Sequence, residues 1–404
     1  MLDVVSIVSI VQTPTKKWPA RTRTMQFNFV NKWTASDSWE DFTNQATVTF
    51  PKNLVYRDKH GKLQRLKGDN VNAGGFSSTE PLFLKGDKIT IEAGYKYRDR
   101  QGNYRTKTEQ FFTGYIVKVG SGTPFTIECE DNMYLLKQIP APTKCYPATM
   151  TVEDIMKDII NPTAAPPQYQ NYVFDISVNA LTKTTIGQFL TQSETAMQIL
   201  ARIRKDYGFE AYFKGNELRI GSYIYIESEA KERTFSFQGF YDGIFESELD
   251  YQRTDDLVLS AVAHNDITEQ TGSNTKDGQP KTKSKKLQVL VTIKDDVTTI
   301  KEIQPGQSVP DNTEGQRNDY HFPGAKTIPE LAKLAEDKLR LLYYNGMKGN
   351  IAVLGLPIVR QGDNVTVKSQ LLPEQNGKYK VKKVEYSGGV DGIRQKIYTH
   401  YKLQ

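Results

Sequence analysis

Paired carboxylates are the side chains of this sequence with the clearest capacity for chemistry. Glu128 and Glu130 stand two residues apart, with Asp131 beside them. Two carboxylates that flank a cleft can hydrolyse a glycosidic bond, one as acid and the other as base or nucleophile. Here the alternating run Phe125-Thr126-Ile127-Glu128-Cys129-Glu130 puts both on one face of one strand. Side chains so arranged point the same way and do not flank a substrate, so they read as a solvated or ring-facing acidic stripe. Glu227, Glu229 and Glu232 are offset by Lys231 and Arg233 and read as a surface loop. The histidines, His60, His264, His321 and His400, have no His or Cys at ligand spacing, so no metal site is expected. His264 and His400 fall in or beside strand patterns and read as packed or surface imidazoles. Nucleophile-elbow, zincin, phosphate-loop and dinucleotide fingerprints are absent. No catalytic residue, no cofactor and no enzyme activity are expected.

The remaining reactive groups read the same way. Cys129 lies on the apolar phase of its strand and reads as a buried free thiol; with Cys145 it makes neither a metal spacing nor a disulfide framework. That suits assembly in a reducing cytoplasm. The 22 tyrosines include Tyr343, Tyr344, Tyr379 and Tyr386 in the C-terminal half. Tyrosine serves protein interfaces and sugar stacking alike, and without a matching polar set interface or core is the larger expectation.

The elements that would position these residues are mostly strands. Gly86-Asp87 leads into the alternating Lys88-Ile89-Thr90-Ile91, and Gly362-Asp363 leads into Asn364-Val365-Thr366-Val367. In each copy Gly permits a turn with φ > 0 and Asp can bond its own downstream backbone. A second strand follows in each, Gly114–Val119 and Gly377–Val381, and then a third, Phe125–Cys129 and Gln395–Thr399. The doubling predicts two similar β domains in one chain.

Between them the texture changes. Thr151-Val152-Glu153-Asp154 reads as a capped helix start that Asn161-Pro162 stops. Thr163–Gln170 reads as a loop. A second helix is expected from near Thr191 to a C-cap at Gly208, then a hairpin over Phe209–Ser222. Asp256–Val262 is a nearly continuous apolar run and predicts a central strand. Thr268–Lys286 is polar and reads as a loop or a long hairpin tip. Thr327-Ile328-Pro329-Glu330 starts a helix that Asn345-Gly346 ends.

With 404 residues, the chain has room for two or three domains. The 53 basic and 47 acidic side chains give a net charge of +6, too small to require a nucleic-acid partner. The cluster Lys281, Lys283, Lys285 and Lys286 reads as a solvated loop. The apolar run Val4–Val11 lacks a basic flank and a cleavage site, so it does not read as a signal peptide. No stretch is long enough to span a membrane as a helix. Asn364-Val365-Thr366 matches a glycosylation acceptor by coincidence of a strand sequence.

Several segments resemble one family. Ser38-Trp39-Glu40-Asp41-Phe42 through Phe50-Pro51 resembles the N-terminal strand pattern of phage baseplate hub proteins of the late-control D family. Phe125 through Lys137 looks like the end of their first barrel, Ile199–Ile220 like their middle segment, and Gly362 through Gln395 like their second barrel. The family includes the front part of type VI secretion spike proteins. The resemblance implies a mainly β (α+β) fold: residues 1–145 as an N-terminal tube-like β-barrel, 146–234 as a middle α/β domain, and 235–404 as a second barrel. The second barrel would carry the polar loop 268–286 and a helix over 328–345 packed on it.

It further implies a homotrimer whose two barrels per chain make a pseudo-sixfold ring between a tail tube protein and a central spike protein. Other baseplate proteins would dock outside, and DNA would meet the chain only in transit through the bore. The setting would be the virion tail baseplate, assembled in a bacterial cytoplasm. Because the chain stops at Gln404 soon after the second barrel, the spike is expected to be a separate protein. Two other readings remain: a surface glycan-binding β module using exposed tyrosines, and a tail-associated peptidoglycan hydrolase using Glu128 or Glu130.

Overall fold

Strands dominate the computed structural model. It describes residues 2–51, 54–65, 80–120, 122, 124–160, 175–177, 185–207, 209–215, 217–221, 230–238, 243–274, 280–310, 315–322 and 325–403. The first unit holds β1 (Leu2–Val11), β2 (Thr24–Phe27), β3 (Lys32–Ser38), β4 (Gln45–Phe50), β5 (Val55–Arg57), β6 (Leu63–Arg65), β7 (Lys88–Arg98), β8 (Tyr104–Val119), β9 (Phe125–Glu130) and a single-turn α1 (Met133–Leu136). Its strands run in the spatial order β3-β4-β9-β8-β7-β1-β2. Alternation decides what faces in: on β4, Ala46, Val48 and Phe50 are buried. Phe27, Phe50, Phe83 and Phe125 interlock, with ring centroids 5.0 Å apart for Phe27 and Phe50 and 5.5 Å for Phe83 and Phe125. β3 and β1 stand far apart along the ladder, yet Trp33 Nε1 on β3 donates to Ser6 Oγ on β1 at 3.1 Å. The series therefore curls back on itself.

The middle unit holds β10 (Lys144–Tyr146), α2 (Val152–Ile159), β11 (Asp175–Ser177), β12 (Phe189–Thr191), α3 (Ala196–Tyr207), β13 (Glu210–Lys214) and β14 (Glu217–Gly221). Thr151 and Asp154 close a reciprocal capping box on α2, whose Val152, Ile155, Met156 and Ile159 are buried. The second helix starts at Ala196 and not near Thr191. Thr191 is fully buried in the β10–β12 pair, where its hydroxyl donates to the Pro142 carbonyl. Thr195 and Gln198 make the cap instead: Gln198 N donates to Thr195 Oγ1 and Thr195 N to Gln198 Oε1. A Thr-x-x-Glu signal at 191–194 thus lost to a Thr-x-x-Gln signal four residues on. The hairpin β13–β14 forms as expected. Thr163–Gln170 and Gly208 lie outside the described residues.

The last unit holds β15 (Glu232–Ser236), β16 (Glu246–Gln252), β17 (Val258–Asn274), β18 (Pro280–Lys294), β19 (Val297–Glu302), β20 (Gln316–His321), α4 (Ile328–Leu342), β21 (Gly346–Leu354), β22 (Asn364–Lys368), β23 (Gly377–Gly389) and β24 (Gly392–Leu403). β17 is central in a four-stranded sheet β19-β18-β17-β20, as its apolar run predicts. Of the two readings of 268–286, the long hairpin holds: β17 and β18 stay paired to Gln270↔Thr282 and again at Asn274↔Pro280. Helix α4 starts at its Thr327 cap with Pro329 in the first turn. It lies on this four-stranded sheet, burying Leu331, Ala332, Ala335 and Leu339 against Leu259, Ala261, Val289 and Val291. The sheet and helix form a core of their own, with α4 touching β24 of the large sheet only lightly.

The other strands of the last unit join those of the first. A single 15-stranded sheet contains both, and one core cluster runs from Val8 and Trp33 to Tyr386 and Ile397.

Candidate interface between the two strand series

The two Gly-Asp starts are the same device built twice. Gly86 has φ 93° and Gly362 has φ 80°. Asp87 N donates to Leu84 O at 3.2 Å, and Leu84 N donates back to Asp87 Oδ2 at 2.8 Å. Asp363 N donates to Arg360 O at 3.1 Å, and Arg360 N returns to Asp363 Oδ2 at 2.9 Å. The second carboxylate oxygen takes a strand from elsewhere: Thr13 N for Asp87 at 2.9 Å, Lys231 N for Asp363 at 3.1 Å. Gly86 N and Asp87 O clasp Ile116; Gly362 N and Asp363 O clasp Val381 in the same way. One residue further, each partner strand carries a β-bulge, between Ile116 and Lys118 in one copy and between Val381 and Lys383 in the other.

Strand order repeats with the device. The first series runs β1-β7-β8-β9-β4-β3 and the second β15-β22-β23-β24-β21-β16. Two details diverge. β1 meets β7 antiparallel, whereas β15 meets β22 in parallel. Arg21 also enters the first copy, fully buried, with its Nη2 at 2.6 Å from Asp87 Oδ2 and further bonds to the carbonyls of Thr13, Pro81 and Leu82.

The series join edge to edge. β23 leaves β22 after Lys380 and pairs β3 antiparallel from Lys383↔Ser38 to Gly389↔Lys32. Gly388 sits opposite Trp33, and a Cβ there would overlap the indole. At the other end acidic residues of the first series meet basic ones of the second. Lys382 Nζ stands 3.3 Å from Glu40 and Lys383 Nζ 3.1 Å from Asp41. Asp37 accepts from Gln361 N and from the Tyr386 hydroxyl and faces Arg360 at 4.0 Å. Burial raises the Asp37 carboxyl above its usual range, a shift Arg360 opposes. Arg360 also donates to the carbonyls of Gln110 and Phe111 on β8. A cleft of about 890 Å³ opens on this seam, lined by Glu40, Asp41, Phe42, Phe245, Lys383 and Arg394 among others.

The residues singled out for chemistry go elsewhere. Glu128 pairs with Lys118 at 2.7 Å and Glu130 with Lys137 at 2.6 Å, both on one strand as expected. Asp131 turns inward, accepts from the backbone of Asn44 and Met133, and is pushed up to about 7 by burial. Cys129 is buried, which raises its thiol pKa, and Cys145 is exposed. His264 and His321 are paired across β17 and β20, ring centroids 5.0 Å apart, and His264 is lowered by burial. His400 lies edge-on to Trp39, and burial with help from Lys382, Lys338 and Lys348 lowers it to about 4. His60 is in an exposed turn. Tyr379 and Tyr386 are core residues whose hydroxyls bond Met347 N and Val359 O. Tyr344 and Tyr343 are partly buried, and bond Met347 O and Asp296 N respectively. Glu232 lies in β15, bonded to Lys378; Glu227 and Glu229 lie outside the described residues. No metal-binding cluster occurs among the described residues.

Sequence reading missed the seam itself, Arg21 and Arg360. Only the Gly-Asp register, carried forward one bulge, could have pointed to where β23 becomes free to take β3.

No protein-family model matches the chain, and no curated protein does. Solved structures do. The 43 kDa tail protein of prophage MuSo2 from Shewanella oneidensis is similar at a TM-score of 0.51 and 12% identity, over 98% of each chain. The tail protein from Neisseria meningitidis MC58 is similar at 0.52 and 14% identity, over 99% of this chain and 97% of that one. A chain of the Francisella PdpA-VgrG complex is similar at 0.50 and 10% identity, over 98% of this chain and 58% of that one. At such identities the likeness is one of fold alone.

Proposed function

We propose that this chain is a structural hub of a contractile or phage-like tail baseplate. Three copies form a ring of six like units, joining a sixfold tail tube to a threefold central spike. The units are the two barrel-like strand series, β1-β7-β8-β9-β4-β3 and β15-β22-β23-β24-β21-β16, with α2, α3 and the β13–β14 hairpin outside them. The observation that carries this reading is the duplicated Gly-Asp device with its edge-to-edge seam: one chain carries two like strand series joined in the way that neighbouring units of a ring would be. The likeness in fold to tail proteins supports it.

The work of such a hub is mechanical. Its partners would be copies of itself, the tube protein, the spike protein and other baseplate proteins, with DNA only passing through. A net charge of +6 suits a bore that does not hold DNA tightly. Its place would be the virion tail, after assembly in the host cytoplasm. Imaging of the purified chain by electron microscopy tests the reading: rings with six similar lobes support it, and isolated single-chain particles oppose it.

A further inference from the structure

The seam inside the chain has a second half that the chain does not use. The ladders fix the correspondence between the series. Ile116 and Val381 occupy one position, and register carried across β9 and β24, then β4 and β21, aligns Lys118 with Lys383 and Val119 with Val384. It aligns Asp37 with Tyr251 and Ser38 with Gln252, and three residues on Asp41 with Asp255. β3 is covered by β23, but its counterpart β16 pairs only with β21 among the described strands. β8, the counterpart of β23, loses β7 after Tyr115 and from Lys118 pairs only with β9 among the described strands. Among the described residues two edges of opposite parentage stand open on one molecule, β16 along its length and β8 over Lys118 and Val119.

We propose that β16 of one chain adds to the end of β8 in the next copy, as β3 adds to β23 within a chain. This rests on the ring reading and names its contact. Lys118 then stands opposite Gln252 and Val119 opposite Tyr251. Lys118 faces Asp255, repeating the ion pair of Lys383 with Asp41. The surfaces suit it. β16 carries Glu246, Glu248 and Asp250, and Tyr251 is 47% exposed. The Lys118 side chain is 66% exposed and that of Asp255 80%. Lys118 already bonds Glu128, much as Lys383 bonds Glu385 while also reaching Asp41. A bare edge strand ready for antiparallel addition is the backbone requirement of β-augmentation. Head-to-tail use of two different edges closes into a ring when each junction repeats the last rotation.

The test is disulfide trapping of the full chain. Cys145 is exposed and Cys129 buried, so Cys145→Ser gives a quiet background. In it, Lys118→Cys with Gln252→Cys brings together residues opposite each other in an antiparallel pair, within reach of a disulfide. Oxidation is expected to give covalent dimers and trimers. Lys118→Cys with Glu246→Cys, about 20 Å out of register at ~3.3 Å per residue, is expected to give none. Asp255→Lys is expected to shift mass toward monomer, and adding Lys118→Asp to restore it. A trimer by light scattering with no in-register cross-link overturns this contact and leaves the ring reading standing. A monomer at every concentration with no cross-link, unchanged when a spike protein of the same tail is added, overturns both.

Discussion

Asp363 repeats the backbone hydrogen bonds of Asp87, 276 positions along the same chain. Each carboxylate closes a turn back to the residue three before it, receives a distant backbone N–H, and sets the strand whose bulge follows. The copies differ in charge balance: Asp87 takes two hydrogen bonds from the buried Arg21, whereas Asp363 takes its hydrogen bonds from backbone N–H groups and attracts the Arg360 guanidinium only through space.

That difference fixes a first prediction. Asp87→Asn strands the Arg21 guanidinium without its countercharge and should cost about 3–5 kcal/mol, as breaking a buried pair does. Asp363→Asn should cost about 1–3 kcal/mol, the loss of a buried acceptor. Urea unfolding of both variants checks this. Equal costs would mean that Arg21 finds another partner.

Gly388→Ala should strain the seam. The added methyl meets the Trp33 indole, and overpacking of this kind costs about 1–3 kcal/mol. Trp33→Phe in the same chain makes room, so the double variant should lose less than the two single losses combined. A double-mutant cycle from thermal unfolding reads this coupling, and simple additivity would argue against the contact.

His400 predicts an acid limb. Its folded pKa, about 4, lies below the ordinary 6.5. Below pH 6.5 the unfolded chain therefore binds the proton first. The stability that the neutral imidazole contributes is present above pH 6.5 and lost as pH falls through 4, about 3 kcal/mol in all. Unfolding midpoints from pH 7.5 to 4 should fall more steeply for the wild type than for His400→Gln. Parallel curves would show that His400 titrates normally in the fold.

Much of this fold is legible in the sequence, for local reasons. Gly86 and Gly362 announce left-handed turns, Thr151-x-x-Asp154 and Thr327 announce helix starts, and alternation announces β4 and β22. The seam is not legible. Lys383 and Ser38 pair across almost the whole chain, and nothing in either strand's own pattern names the other. Arg21 was missed for a related cause: one arginine in a loop gives no sign that it will be sealed against Asp87. The start of α3 went astray because two capping signals stood four residues apart and tertiary burial of Thr191 chose between them. The acidic stripe was legible as a surface feature because Glu128 and Glu130 have lysines within reach on neighbouring segments.

If one chain supplies two equivalent units of a closed ring of six, the ring holds three chains. Absolute mass by light scattering over a concentration series tests it most directly. A stable species of three chains, each of 45.8 kDa, is expected. A single-chain mass at every concentration, unchanged when a spike protein of the same tail is added, would contradict it.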